Sequence, residues 1–160
     1  MEEPLEVVVG RLLRQRGLTL AVAESCTGGL IGHRLTDVPG SSAYYLGSVT
    51  AYAYEAKEAL LGVRHNTLYT HGAVSAETVL EMARGIRRVL QADLGLAVTG
   101  IAGPDGGTAE KPVGLVYIGL AAPDGEWVER HVWAGERREN KAASAEAALA
   151  LVRRYLTMGL

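Results

Sequence analysis

Leu18-Thr19-Leu20-Ala21-Val22-Ala23 carries no charge and empties directly into Glu24-Ser25-Cys26-Thr27-Gly28-Gly29. A short, almost wholly apolar run of this kind reads as a buried central strand. Leu30 to Thr36 then look helical until Val38-Pro39-Gly40 break the pattern. The segment is therefore a strand, a tight polar turn and a helix N-terminus. That order places polar side chains beside unpaired helix N–H groups.

The flanking sequence repeats the alternation. Leu5, Val8, Val9, Leu12 and Leu13 recur at helical spacing before Gly17. Tyr45 to Tyr52 is rich in Tyr, Val and Thr and predicts a strand, with Glu55 to Leu61 as a short helix closed by Gly62. Ser75 is an N-cap for a long helix whose inward face is Val79, Met82, Ala83, Ile86 and Leu90. Leu94 to Thr99 is a second buried strand, ending in the loop from Gly100 to Gly107. Val113 to Ala121 and Trp127 to Trp133 predict a hairpin through Pro123-Asp124-Gly125. An Ala-rich helix over Asn140 to Leu156 buries Ala145, Ala148, Leu149 and Val152. The fold class expected is α/β, a three-layer α/β/α single domain over residues 1–160, with a mixed sheet including one antiparallel hairpin. Ligands of such sheets bind outside the carboxyl ends of the strands. If the two buried strands are parallel neighbours, the turns at 24–29 and 100–107 share one rim.

Composition narrows the function classes. Sixteen basic and eighteen acidic residues give a net charge of -2 over 160 residues, with no basic stripe for nucleic acid. Apolar runs fall short of the roughly 20 residues that span a bilayer, so no membrane partner is expected. Cys26 is the only cysteine and the N-terminus, Met1-Glu2-Glu3-Pro4, does not start like a secretory signal. A cytoplasmic, reducing setting is the expectation. His33, His65, His71 and His131 share no metal-like spacing, so neither metal nor cofactor is expected.

Three segments have chemistry to offer. Helix N–H groups around Thr27, Gly28 and Gly29 suit a phosphate or an oxyanion, and Ser25, Cys26 and Thr27 are three possible nucleophiles. An N-cap followed by glycines needed for packing accounts for the same spacing. Lys57 stands at a strand-to-helix junction, where burial would favour its neutral form and let it take a proton from a serine. A solvated helix lysine is the rival reading, although only three lysines stand against thirteen arginines in this chain. Gly100, Gly103, Gly106 and Gly107 lie in a loop whose amides could form an anion nest, with Lys111 nearby. His71 precedes Gly72 in an expected loop and could touch substrate. Arg137 and Arg138, at the start of the last helix, could clamp a phosphate or stand as surface arginines.

Together AESCTGG at 23–29, PGSSAYY at 39–45, YAYEAK at 52–57, HGAVS at 71–75, TGIAGPDGGTAEKPVG at 99–114 and GER at 135–137 resemble the C-terminal domain of the CinA (competence/damage-inducible) family, the nicotinamide-nucleotide amidohydrolases or NMN deamidases. The resemblance covers nearly the whole chain in order. It implies hydrolysis of the carboxamide of nicotinamide mononucleotide to nicotinate mononucleotide and ammonia, in pyridine-nucleotide recycling. It implies Ser25 as nucleophile with Lys57 and Tyr52 as catalytic partners, and Ser42 and Arg137 in substrate binding. It also implies the stand-alone deamidase form or an excised C-terminal domain. Glu136 and Lys141 depart from the family's usual Asp and Arg, and Lys141 lacks the planar fork that grips phosphate.

The expected mechanism has Lys57 take the Ser25 proton with Tyr52 relaying or orienting it, while N–H groups from Thr27 to Gly29 hold the oxyanion. The phosphate is expected on the 100–107 loop and Arg137. The expected partner is a small nucleotide substrate, in a homo-oligomer for which a dimer is the guess. The alternatives are a non-catalytic nucleotide-binding module, a Cys26 hydrolase, and a protein-interaction domain linked to competence or DNA damage.

Overall fold

The computed structural model describes residues 2–158. Its centre is a five-stranded mixed sheet, built from β1 (Leu20–Glu24), β2 (Tyr45–Thr50), β3 (Leu94–Gly100), β4 (Leu115–Ala122) and β5 (Gly125–Val132). The spatial order is β2-β1-β3-β4-β5. β1 runs parallel to both β2 and β3, while β4 is antiparallel to β3 and to β5. The parallel part and the hairpin are those expected from the pattern of apolar runs. β1 is buried along its whole length because helices cover both faces.

On one face lie α1 (Leu5–Arg16), α2 (Leu30–Thr36) and α6 (Arg137–Met158). Val9, Leu13, Leu20, Val22, Ile31, Leu96, Ile118, Leu149 and Val152 form that core layer. The other face carries α3 (Tyr54–Leu61), α4 (His65–His71) and α5 (Ala76–Val89). Ala21, Ala23, Leu61, Leu68, Val79, Met82, Ala97 and Ile86 pack there. Small residues of β1 and β3 face this side and let α5 sit close. A Cβ on Gly95 would lie 2.2 Å from the Ala83 carbonyl oxygen. Ser75 caps α5 as expected, its Oγ accepting from the Thr78 N–H at 3.1 Å.

Some boundaries differ from the sequence expectation. α4 covers the polar stretch His65–His71, where only Thr67 and Leu68 are buried and no apolar period was visible. α6 begins at Arg137 rather than Asn140. β2 stops at Thr50, which leaves Tyr52 on the connection into α3.

The parallel register is what builds a site. Glu24 pairs with Thr50 on one side and Val98 on the other. The ends of β1, β2 and β3 therefore share one rim, and the segments beginning at Ser25, Ala51 and Ile101 emerge together. No helix of the described residues is long and apolar enough to cross a membrane.

Candidate active site

Ser25 follows the last residue of β1 and is only 6% exposed. Lys57, in the first turns of α3, is 1% exposed, so this lysine is not solvated. Its Nζ lies 3.0 Å from Ser25 Oγ, 2.9 Å from the Ala51 carbonyl oxygen and 2.8 Å from the Tyr52 carbonyl oxygen. Burial, without a paired carboxylate, pulls the lysine down to about 8. Two carbonyls thus claim two N–H groups of the amine, and the third tetrahedral position faces the serine oxygen. In the ammonium that position is an N–H, and in the neutral amine it is the lone pair.

Cys26 adjoins this pair but is chemically quiet. Burial pushes its thiol up to about 11, so almost none is thiolate at neutral pH. Its side chain is 93% buried against the Gly100 end of β3, where a Cβ on Gly100 would come 3.2 Å from Sγ and 2.6 Å from Val116 Cγ2.

Glu24 is the site residue that sequence reasoning missed. Its carboxylate has no exposure, and Oε1 accepts from Thr27 Oγ1 at 2.6 Å, Gly29 N at 3.2 Å and Ile31 N at 3.0 Å. Its Oε2 accepts from Gly32 N at 3.0 Å. A charge ending an apolar strand just before a helix was the available signal, since only donors can keep it there. Glu24 therefore occupies the anion seat at the start of α2. The Thr27 side chain, 1% exposed, is bound to Glu24. The N–H groups of Gly28 and Gly29 are also spent, on the Ser25 carbonyl at 3.1 Å and on Glu24. Among the described residues, the N–H groups of Ser25, Cys26 and Thr27 donate to neither of these acceptors. Replacing Glu24 with glutamine leaves three backbone donors facing an amide that offers one acceptor. Urea denaturation is expected to show a loss of about 3 kcal/mol, and an unchanged midpoint would refute this role.

The 100–107 loop is anchored at its start to the residues around the beginning of β4. Ile101 N donates to the Leu115 carbonyl at 2.9 Å and Gly114 N to the Ile101 carbonyl at 2.8 Å. A Cβ on Gly103, whose φ is +86°, would come 2.4 Å from Val113 Cγ1, and one on Gly107 would come 2.7 Å from Val113 N. A Cβ on Gly106 would face Ile101 at 3.7 Å. Gly103 and Gly107 therefore pack closely on Val113. Lys111 Nζ reaches the carbonyl of His71, so it is tied to the end of α4. His71 is half-exposed on that helix, 3.7 Å from Glu77.

Arg137 and Tyr52 meet at the rim. Arg137 Nη1 donates to the Gly103 carbonyl at 2.7 Å and Nη2 to the Tyr52 hydroxyl at 3.4 Å. The Tyr52 hydroxyl therefore bonds outward, and it is the Tyr52 main-chain carbonyl that holds Lys57. Asn140, 1% exposed, ties α6 to the same loop, with Nδ2 donating to the Ala102 carbonyl at 3.0 Å. Ser42 is elsewhere. It precedes β2, and Leu20 pairs with Tyr45 at the start of the strands. A five-residue strand separates the rims by roughly 16 Å, so one chain cannot bring Ser42 to Ser25.

Two cavities adjoin Arg138. Thr27, Gly28, Gly29, His33, Arg138 and Lys141 line about 410 Å³. Gly103, Pro104, Val113, Arg137 and Arg138 help line about 690 Å³ on the other side. Arg138, previously weighed only beside Arg137, borders both. Among the described residues no three His, Cys, Asp or Glu side chains gather as a metal site.

Residues 2–156 match the CinA C-terminal domain family. This chain belongs to that family. A CinA-like protein of Geobacter sulfurreducens is 54% identical over 155 residues, covering 97% of this chain and 38% of that protein. The chain thus spans less than two-fifths of the curated relatives' length. Among solved structures, competence damage-inducible protein A from Klebsiella pneumoniae superposes with a TM-score of 0.94 at 36% identity, covering 98% of this chain and 97% of that one. The competence/damage inducible protein CihA from Agrobacterium tumefaciens gives 0.85 at 41% identity, covering 95% and 97%. The three-layer fold described above is therefore that of the CinA superfamily.

Proposed function

We propose that this CinA-family chain is an amidohydrolase that converts the carboxamide of nicotinamide mononucleotide to a carboxylate, releasing ammonia. The observation that carries the reading is Lys57 Nζ at 3.0 Å from Ser25 Oγ, with its other two hydrogen-bonding positions taken by main-chain carbonyls. The substrate class comes from the family resemblance, and the serine–lysine pair supplies chemistry suited to it.

In the first half, neutral Lys57 accepts the proton of Ser25, and Oγ attacks the carboxamide carbon. The main-chain N–H groups of Cys26 and Thr27 receive the developing oxyanion, each worth about 3 kcal/mol to the transition state. The Lys57 ammonium then passes its proton to the departing nitrogen, and the C–N bond breaks to give ammonia and an ester on Ser25. In the second half, Lys57 takes a proton from water, hydroxide attacks the ester, and Ser25 leaves with the proton restored. A lysine pulled down to about 8 suits both roles near neutral pH.

The phosphate lies where the two rim cavities meet, at Arg138, with Arg137 and Lys141 on either side. Anchoring the end remote from the carboxamide orients it without touching the reacting bond. Arg138→Ala is expected to raise KM about tenfold, the loss of one charge-assisted contact, with kcat nearly unchanged. Steady-state ammonia release checks this, and an unchanged KM would move the phosphate elsewhere.

The function itself is tested by incubating the wild-type chain with nicotinamide mononucleotide and following products by chromatography. Nicotinate mononucleotide and ammonia should form in equal amounts. A folded chain that forms neither would overturn the reading.

A further inference from the structure

Tyr52 has an unusual position for a tyrosine at a reacting centre. Its side chain is 66% exposed, yet both of its polar ends are tied down. The main-chain carbonyl takes Lys57 Nζ at 2.8 Å, and the hydroxyl takes Arg137 Nη2 at 3.4 Å. Arg137 is in turn held by the Gly103 carbonyl at 2.7 Å. The ring is thus braced between the start of α3 and the start of α6. The same lysine nitrogen that touches the Tyr52 carbonyl touches Ser25 Oγ at 3.0 Å, so the ring begins beside the nucleophile. The other strongly exposed tyrosine, Tyr69, packs its ring against Tyr54 and His65. Among the described residues Tyr52 has no aromatic partner. A large exposed aromatic face next to a buried polar site is available to a ligand.

We propose that the Tyr52 ring stacks on the aromatic ring bearing the carboxamide, making Tyr52 a specificity-determining residue for aromatic amides. The proposal rests on the amidohydrolase reading above. The ring of a nicotinamide nucleotide is a cationic pyridinium, so the electron-rich tyrosine face attracts it both by stacking and by charge. An aliphatic amide of the same size would gain neither. Stacking also explains why the hydroxyl bonds outward to Arg137. That bond holds the ring at the rim and leaves the proton transfer to Ser25 and Lys57.

The test separates affinity from turnover. Binding of nicotinamide mononucleotide is measured by calorimetry in Ser25→Ala, alone and combined with Tyr52→Phe or Tyr52→Leu. Ammonia release is measured for the wild type. Phenylalanine keeps the ring, and should leave Kd within about threefold of the parent. Leucine removes it and should weaken Kd about tenfold, equal to about 1.4 kcal/mol. Leucine binding as tightly as tyrosine overturns the proposal. If the binding pattern holds but the wild type releases no ammonia, the stacking stands and the amidohydrolase reading falls. If Ser25→Ala does not bind the nucleotide at all, the stacking proposal falls.

Discussion

Ser25→Ala is expected to lower turnover of nicotinamide mononucleotide by roughly 10⁴-fold or more, the scale seen when a nucleophile is removed from a serine hydrolase. The substitution deletes one oxygen from a buried turn and changes little else, so fold and nucleotide affinity should persist. Two neighbours could in principle stand in for the serine, and neither is able to. The Cys26 thiol, pushed up to about 11 by burial, leaves about one thiolate in ten thousand at pH 7. The Thr27 hydroxyl is committed to Glu24 at 2.6 Å. Initial rates of ammonia release measure the effect. A loss below about tenfold would mean that Ser25 only positions the substrate and that water attacks the amide directly.

The second large effect belongs to Lys57. Lys57→Met keeps a long unbranched side chain but removes the base, and kcat/KM should fall by about 10³-fold. The pH profile of the wild type gives an independent check. The base acts only when neutral, and burial has pulled its proton affinity down to about 8. Below that value most of the lysine is ammonium and inactive, and above it most is amine. Between pH 7 and pH 9 kcat/KM should therefore rise about tenfold. The residual rate of Lys57→Met should lack this rise. A wild-type rate that falls across the same range would assign activity to the ammonium form.

Much of the architecture was legible in the apolar runs. Leu18 to Ala23 and Leu94 to Thr99 read as buried strands because helices cover both of their faces. Pro123-Asp124-Gly125 announced the hairpin through turn chemistry. Two parallel central strands then place the turns after them on one rim, which brought Ser25 to the loop beginning at Gly100. α4 was not legible. Its sequence, His65-Asn66-Thr67-Leu68-Tyr69-Thr70-His71, buries one hydrophobic side chain and so has no apolar period to detect.

The site was legible in part, for reasons that lie in single atoms. Lys57 stood out because arginine does most of the surface duty, but its burial depends on where the ends of β1 and β2 meet α3. Glu24 escaped notice because a carboxylate and a run of amide donors leave no spacing signature when they satisfy one another. The glycines of the 100–107 loop read first as an anion nest, and the structure adds that Gly103 and Gly107 also pack closely on Val113. Tyr52 and Ser42 are positions for which only the family resemblance implied a role. The Tyr52 hydroxyl turns outward to Arg137, and Ser42 stands at the opposite rim.

The claim on which the account turns is that Ser25 becomes covalently acylated. Wild-type enzyme mixed with nicotinamide mononucleotide, quenched in acid within the first turnover, should carry an added mass equal to the nucleotide minus ammonia. After trypsin digestion the adduct should lie in the peptide spanning residues 17–34, with fragmentation placing it on Ser25. Stoichiometric ammonia release with no adduct at any quench time, and with Ser25→Ala still active, would contradict it.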